Sequence, residues 1–264
     1  MSQIRIAIHG AAGRMGQRLV ALAQADPQLS VVAAIDAPSH PRLGEDAGVV
    51  AGVGPIGVRL GAALETPVDA VIDFSVPQAV EPIVSRCVGQ RIPLVMATTG
   101  LDPSQTARLA AAAQQIPLVW SPNMSLAVNL TMKLAEMAAR ALRDKNADVE
   151  ILERHHRFKE DAPSGTALKF GQIISGVMGQ TRHCHGRQGR PGARPRDEIG
   201  YHAIRVGDNP GEHTIVFALL GEMVELTVRA TNRDCYALGA LSAAKFVVGK
   251  PPGLYGMDHV LGMA

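Results

Sequence analysis

Large aromatic side chains are scarce: five phenylalanines, three tyrosines and one tryptophan, 3% of 264 residues. The core is therefore expected to be small and aliphatic, with Ala, Val, Leu and Gly packing helices closely on a sheet. Cysteine is also sparse. Cys87, Cys184 and Cys235 are odd in number and far apart, which argues against a disulfide framework. A large excess of one charge is missing too. The formal net charge of +2 is far from the basic surplus of a nucleic-acid binder. No apolar run reaches the ~18 residues needed to cross a membrane. The opening "MSQIRIAIHG" enters a strand directly and leaves no room for a signal peptide, so a cytoplasmic protein is expected. Global disorder is excluded by 47% hydrophobic against 19% charged residues.

What is present is a change of pattern. Apolar runs at 4–10, 30–36, 68–75, 92–100 and 116–123 read as strands, separated by helical stretches such as 14–27 and 103–115. Alternation of this kind predicts a parallel sheet covered on both faces. The Gly- and Pro-containing 41–61 stretch reads as an irregular connection. From about Leu126 come a long helix (126–142), a strand (147–156) and a helix (164–178). Three strands follow in a row (199–207, 212–221, 223–231), the last two joined by a hairpin at Gly221-Glu222. Consecutive strands without helices predict a second, mixed or antiparallel sheet. A closing helix (237–249) is expected to pack back on the first domain. Residues 182–196 hold five arginines among glycines and prolines. They read as a mobile surface loop rather than a nucleic-acid arm, since no aromatics are interleaved. His183 and His185 have no second cluster of ligands, so no metal site is expected. The fold class is α/β: a Rossmann-like parallel-sheet domain plus a second α+β domain with a mixed sheet.

The first strand runs into Gly10-Ala11-Ala12-Gly13-Arg14-Met15-Gly16 and then a helix. Glycines there permit a tight turn and close approach of a pyrophosphate, while the helix N-terminus offers N–H groups and a partial positive charge. Asp36 closes the second strand, 20 residues beyond Gly16, where an acid can bond ribose hydroxyls. An ordinary strand-to-helix turn with a solvated Asp is the competing reading. Asp36 would repel the 2′-phosphate of NADPH and Ala37 offers no cation, so NADH is favoured. Arg14 is the residue that would admit NADPH. The later strand ends carry Phe74-Ser75-Val76-Pro77, Ala97-Thr98-Thr99-Gly100 and Ser121-Pro122-Asn123-Met124, a polar rim suited to a nicotinamide ribose.

The segment "ERHHRFKEDAPSGTAL" (153–168) gathers two histidines, two arginines and a lysine, one arginine beside each histidine, before a helix start. With a period of two, His155, Arg157 and Lys159 share a face, and His156 lies on the other. His155 can pass a proton and Lys159 can hold an anion or donate. Ser164 reads as an N-cap, leaving Gly165 and Thr166 as an anion seat. A solvated strand end remains the alternative.

Together "GAAGRMG", "DFSVP", "ATTGL", "SPNMSLAVN", "ERHHRFKEDAPSGTAL" and "PGEHTIVFALLGEMVELTVRA" resemble the 4-hydroxy-tetrahydrodipicolinate reductase (dihydrodipicolinate reductase) family, in order and over essentially the whole chain. The resemblance implies a cytoplasmic homotetramer of the diaminopimelate route to lysine, reducing a cyclic dicarboxylate with NADH or NADPH. It implies a dinucleotide-binding domain, 1–126 with 234–264, and a substrate-binding and oligomerisation domain, 127–233. Cofactor contacts would be Gly10, Ala11, Ala12, Gly13, Arg14, Met15, Asp36, Ala97, Thr98, Thr99, Ser121, Pro122, Asn123 and Met124. His155 and Lys159 match the acid–base pair, and His156, Gly165 and Thr166 the substrate contacts. Since alternation puts His156 on the wrong face, the backbone is expected to leave strand geometry there. Ala97, Ala37 and Phe158 depart from residues common in the family; the second weakens an NADPH preference. Two other readings stay open: a different two-domain NAD(P) oxidoreductase of amino or imino acids, and a non-catalytic NAD(P)-sensing regulator.

Overall fold

Short β-branched runs followed by glycine or polar turns become the strands of two separate sheets. The computed structural model describes residues 3–264. In chain order it runs β1 (Ile4–His9), α1 (Arg14–Gln24), β2 (Leu29–Ile35), α2 (Ala47–Val50), β3 (Leu60–Gly61), β4 (Ala70–Asp73), α3 (Val80–Gln90), β5 (Leu94–Met96), α4 (Pro103–Ala113) and β6 (Pro117–Trp120). There follow α5 (Leu126–Leu142), β7 (Asp148–His155), α6 (Gly165–Met178), β8 (Arg182–His185), β9 (Glu198–Arg205), β10 (Glu212–Leu219) and β11 (Glu222–Arg229). The chain ends with α7 (Asp234–Val247), β12 (Gly253–Tyr255) and α8 (Met257–Val260). Contacts divide it into two compact units, 1–126 with 234–264 and 127–233.

The first unit holds a seven-stranded parallel sheet ordered β3-β2-β1-β4-β5-β6-β12. Its strands are buried on both faces because alternate side chains feed two cores. Ile6, Ile8, Ile72 and Val95 join a cluster with Leu19 and Val20 of α1 and Leu241 and Ala244 of α7. Ala7, Val71, Leu94 and Met96 join the opposite cluster with Val84 of α3 and Leu109 of α4. Small side chains let α7 sit close: a Cβ on Gly239 would lie 1.8 Å from the Met124 carbonyl oxygen. The two outermost strands, β3 and β12, are too short to show a period in the sequence, and so only five of the seven are predicted from it. The 41–61 connection is not wholly irregular. Asp46 caps α2 and accepts N–H bonds from Gly48, Val49, Ile56 and Gly57, tying the loop to one carboxylate.

The second unit holds a mixed sheet ordered β11-β10-β7-β9-β8, antiparallel on the β10 side of β7 and parallel on the β9 side. Val149, Ile151, Ile215 and Phe217 point into a core with Ala135 and Ala139 of α5 and Phe170 and Ile174 of α6. Gly171 makes room for Tyr201, whose hydroxyl a Cβ would meet at 1.8 Å. On the other face Leu152, Ile204 and Met223 are exposed. The hairpin turns at Leu220-Gly221, one residue earlier than predicted, where Gly221 takes φ +93° and Leu219 pairs with Glu222.

The arginine-rich stretch is not a free loop. Arg182–His185 is the edge strand β8, and beyond it Arg187 and Arg194 both bond the Glu150 carboxylate on β7. Glu150 also lies 2.7 Å from His202 Nε2. Burial would push this carboxyl's pKa up, but these donors override burial and hold it down at about 2. His183 and His185 stack on Tyr201. Among the described residues no group of three His, Cys, Asp or Glu is placed to hold a metal, and no helix is long and apolar enough to cross a membrane.

Candidate active site

The strand order of the first unit reverses between β1 and β4, which opens the crevice where dinucleotides bind in sheets of this kind. The glycine turn stands there. Gly10 takes φ +79°, and a Cβ on it would lie 2.6 Å from the Phe74 carbonyl oxygen at the end of β4. Gly16 lets α1 approach the turn so closely that a Cβ would lie 2.1 Å from the Gly10 carbonyl oxygen. At the N-cap, Gly13 has no side chain to satisfy the first-turn N–H groups of α1. By contrast, Asp102 caps α4 and Ser164 caps α6. An uncapped helix start behind a tight glycine turn fits a phosphate group. Arg14 and Gly13 are exposed beside it.

Asp36 stands at the end of β2, where the Ala12 N–H donates to its Oδ2 at 2.8 Å and the Ala37 N–H to its Oδ1 at 2.8 Å. The carboxylate is thus locked against the turn. The rim after β4 and β5 is held by Asp73, fully buried, which accepts from Thr98 Oγ1 at 2.7 Å and lies 2.7 Å from His9 Nδ1. The Ser75 N–H donates to the same Thr98 hydroxyl at 3.1 Å. Thr98 therefore turns its side chain inward and ties two loops together, whereas Thr99 is exposed. Ser121 Oγ donates to the Asn123 carbonyl at 2.8 Å, and Asn123 Oδ1 accepts from the Ser125 N–H at 2.9 Å. Pro122 is exposed; the Met124 side chain is in the core, so only its backbone can face a ligand. Met15 is half-buried, and Ala11, Ala12 and Ala97 are buried.

In the second unit β7 ends at His155. Beyond it the chain leaves strand geometry: the His156 N–H donates to the Asn209 carbonyl, the Arg157 N–H to Gly207, and the Lys159 N–H back to His156. The period-two alternation carried to Lys159 in the sequence therefore stops at His155. His155 is buried, with Nδ1 2.5 Å from Glu153 Oε2. Glu153 itself is 1% exposed and also accepts from Arg205 and from the Ser164 N–H. Burial would push this carboxyl up, but hydrogen bonds from His155 and Arg205 outweigh burial and hold it at about 2. Lys159 Nζ reaches Asp161 at 2.7 Å.

Ser164 caps α6 by accepting from the Ala167 N–H at 3.2 Å, and its Oγ lies 3.0 Å from His213 Nε2. Gly165 and Thr166 are the first residues of that helix. His213 packs edge-on against His155 and is pushed down to about 4, by burial first and then by the charge of His155. His156 is also lowered, by desolvation and then by Arg233, His155, Lys159 and Arg205. Its Nδ1 is buried without a hydrogen-bond partner among the described residues. The field at His156 is thus made by four cationic or protonatable groups, which suits a ligand with more than one negative charge.

Sequence reasoning missed Glu153, Arg205, His213 and Arg233. Glu153 had a signal, since it sits two residues before His155 on the same strand face. Arg205 and His213 come from distant strands that only the sheet register brings there, and Arg233 comes from the loop between β11 and α7.

Residues 4–124 match the family description "Dihydrodipicolinate reductase, N-terminus", and residues 127–261 match "Dihydrodipicolinate reductase, C-terminus". A 4-hydroxy-tetrahydrodipicolinate reductase of Rhodopirellula baltica is 58% identical, over 99% of this chain and 97% of its own. Another, from Alkalilimnicola ehrlichii, is 49% identical over 98% and 99%. Among solved structures, a dihydrodipicolinate reductase from Paenisporosarcina sp. TG-14 with dipicolinate bound superposes with a TM-score of 0.78. It is 26% identical, over 96% of this chain and 97% of that one. An amine dehydrogenase from Mycobacterium smegmatis, 13% identical with a TM-score of 0.62 over 97% and 96%, shares the fold alone. With both halves of the chain matched end to end, this protein belongs to the dihydrodipicolinate reductase family.

Proposed function

We propose that this protein is an NAD(P)H-dependent 4-hydroxy-tetrahydrodipicolinate reductase, forming tetrahydrodipicolinate in the diaminopimelate route to lysine. The observation that carries the reading is the buried Glu153–His155 pair beside the start of α6, in the positive field felt by His156. A regulator that only sensed a nucleotide would have no use for it. NAD(P)H supplies a hydride to ring C4 of the substrate when bound. The glycine turn and the uncapped start of α1 fit its pyrophosphate. The residues at Gly10 to Met15, Ala97 to Thr99 and Ser121 to Met124 would line it.

In the second unit the start of α6, at Gly165 and Thr166, holds one carboxylate of the cyclic substrate, and Lys159 and His156 help to hold its charge. Once the 4-hydroxyl has left as water to give the conjugated cyclic imine, hydride arrival at C4 would move an electron pair toward the ring nitrogen and leave an enamine that takes up one proton. His155, or Lys159 in its place, supplies that proton. Asp36 locked at the turn favours NADH, because its charge opposes a 2′-phosphate; Arg14 is the one cation in the glycine turn that would oppose this. The exposed apolar face of the mixed sheet, with Leu152, Ile204 and Met223, fits a homotetramer built on the second unit, and the family resemblance carries a cytoplasmic setting with it.

The test is oxidation of NADH and of NADPH by the purified protein with freshly generated substrate. Turnover is expected with both, faster with NADH. His155→Ala and Lys159→Ala should each lose about 10²-fold or more in kcat, the usual worth of positioned acid–base catalysis. Absence of turnover with both cofactors would overturn the assignment.

A further inference from the structure

The reaction assigned above needs a proton at one nitrogen of His155 and an anion seat at the start of α6. These are 10 residues apart in the chain, and one side chain touches both. Glu153 Oε2 faces His155 Nδ1 at 2.5 Å and Arg205 Nη1 at 2.8 Å. Its Oε1 faces the Ser164 N–H at 3.0 Å and Arg205 Nη2 at 2.8 Å. Arg205 is held in turn by the carbonyls of Ile204 and Asp161, so its fork does not swing freely.

We infer that Glu153 is a positioning residue: its carboxylate holds His155 as the Nδ1–H tautomer, so that Nε2 is the nitrogen that handles the substrate proton, and it fixes Ser164, from which the anion seat of α6 begins. The inference rests on the assignment of His155 as the proton donor.

The donor count carries it. The guanidinium and the backbone N–H can only donate, and together they supply three of the four bonds to this carboxylate. A bare Nδ1 would then face an ionised oxygen at hydrogen-bond distance, which repels. Protonating Glu153 instead would remove the charge that Arg205 needs, and the bonds around the carboxyl hold it well below the ordinary range. Nδ1 therefore carries hydrogen in every protonation state of the ring, and Nε2 alone gains and loses a proton. Space is kept on that side: Gly211 lies next to Nε2, and a Cβ there would come within 3.0 Å of it.

The arrangement also explains why an acid and not an amide stands at 153. A glutamine has one acceptor. With its oxygen toward Ser164, the amide nitrogen meets His155 and Arg205 Nη1, and His155 is driven to the other tautomer. With its oxygen toward His155, the nitrogen meets the Ser164 N–H and Arg205 Nη2, and the seat is lost. One side or the other must fail.

The experiment combines ¹⁵N spectra of the histidine rings with steady-state kinetics of wild type, His155→Ala and Glu153→Gln. In wild type the neutral His155 ring is expected to carry hydrogen on Nδ1. In Glu153→Gln, either kcat falls at least about tenfold with the tautomer switched, or KM rises at least about tenfold with the tautomer kept. A general stability defect would move neither the tautomer nor this coupling of tautomer to one kinetic constant. NADH affinity, a property of the other unit, should stay within about twofold and reports a folded chain. A wild-type ring protonated on Nε2 would overturn the inference even if the variant did not fold. So would Glu153→Gln with kcat and KM both within about twofold of wild type. Full activity in His155→Ala would instead sink the proton-donor assignment itself, so the two failures are told apart.

Discussion

Lowering the pH from 7 to 4.5 should loosen the second unit through His213, and replacing that residue should remove the effect. His213 is 4% exposed, its Nε2 is 3.0 Å from Ser164 Oγ, and it faces Phe170 and His155. Burial is the largest influence on it; the charges of His155 and Lys159 lower it further and Glu153 opposes them, leaving it at about 4 against an ordinary 6.5. A group depressed in the folded state contributes stability that is complete above its unfolded value. That contribution is lost as the pH falls from 6.5 toward 4. The shift corresponds to roughly 3 kcal/mol, a large share of the 5–15 kcal/mol by which a domain is folded. Over the range down to pH 4.5 most of it, roughly 2–3 kcal/mol, should be spent. The loss should be read by hydrogen exchange at the buried amides of β7 and β10, corrected for intrinsic exchange, because those amides report opening of this unit alone. His213→Gln should flatten the pH dependence in that window, whatever its stability at pH 7. Equal loss of protection in wild type and variant would refute the argument.

Three other outcomes are open to measurement. Gly16→Ala would place a Cβ 2.1 Å from the Gly10 carbonyl oxygen, so it should cost about 1–3 kcal/mol in the first unit and weaken NADH binding at least tenfold by fluorescence titration; unchanged binding would count against a phosphate at this turn. Asp36→Ala should raise kcat/KM for NADPH relative to NADH about tenfold, while also releasing the Ala12 and Ala37 N–H groups; an unchanged ratio would remove Asp36 from cofactor selection. Ser164→Ala removes the cap of α6 and the partner of His213, and should lower unfolding free energy by about 1 kcal/mol with a raised KM.

The legible parts of the chain were those whose physics is local. The strand β1, the glycine turn and α1 follow from a β-branched run, glycines at fixed intervals and helical spacing over 14–27, none of which needs a distant partner. The cap at Ser164 was equally visible, because an N-cap bonds to N–H groups two or three residues on. Strand β8 was not. Arg182–His185 has no apolar alternation, and it is a strand because β9 offers a free edge and because Arg187 and Arg194 anchor the following loop to Glu150. The same holds for β3 and β12, two and three residues long, whose pairing comes from the sheet they complete.

At the candidate site the division is sharper. The sequence by itself determined the residue types and their local settings: a strand leading into His155, a helix that begins after Ser164, and a turn where only glycine fits. It also determined the family, since motifs in order over the whole chain are a linear property. Tertiary structure alone decided which groups face one another. Arg205 on β9 and His213 on β10 reach Glu153, His155 and Ser164 because β7 pairs in parallel with one strand and antiparallel with the other, and that register sets which side chains share a face. The chain's departure from strand geometry after His155 likewise depends on bonds to Gly207 and Asn209, some 50 residues away. Hydrogen bonds between strands join residues without regard to their separation in sequence, so the distant partners of His155 are written in the sheet and not beside it in the chain.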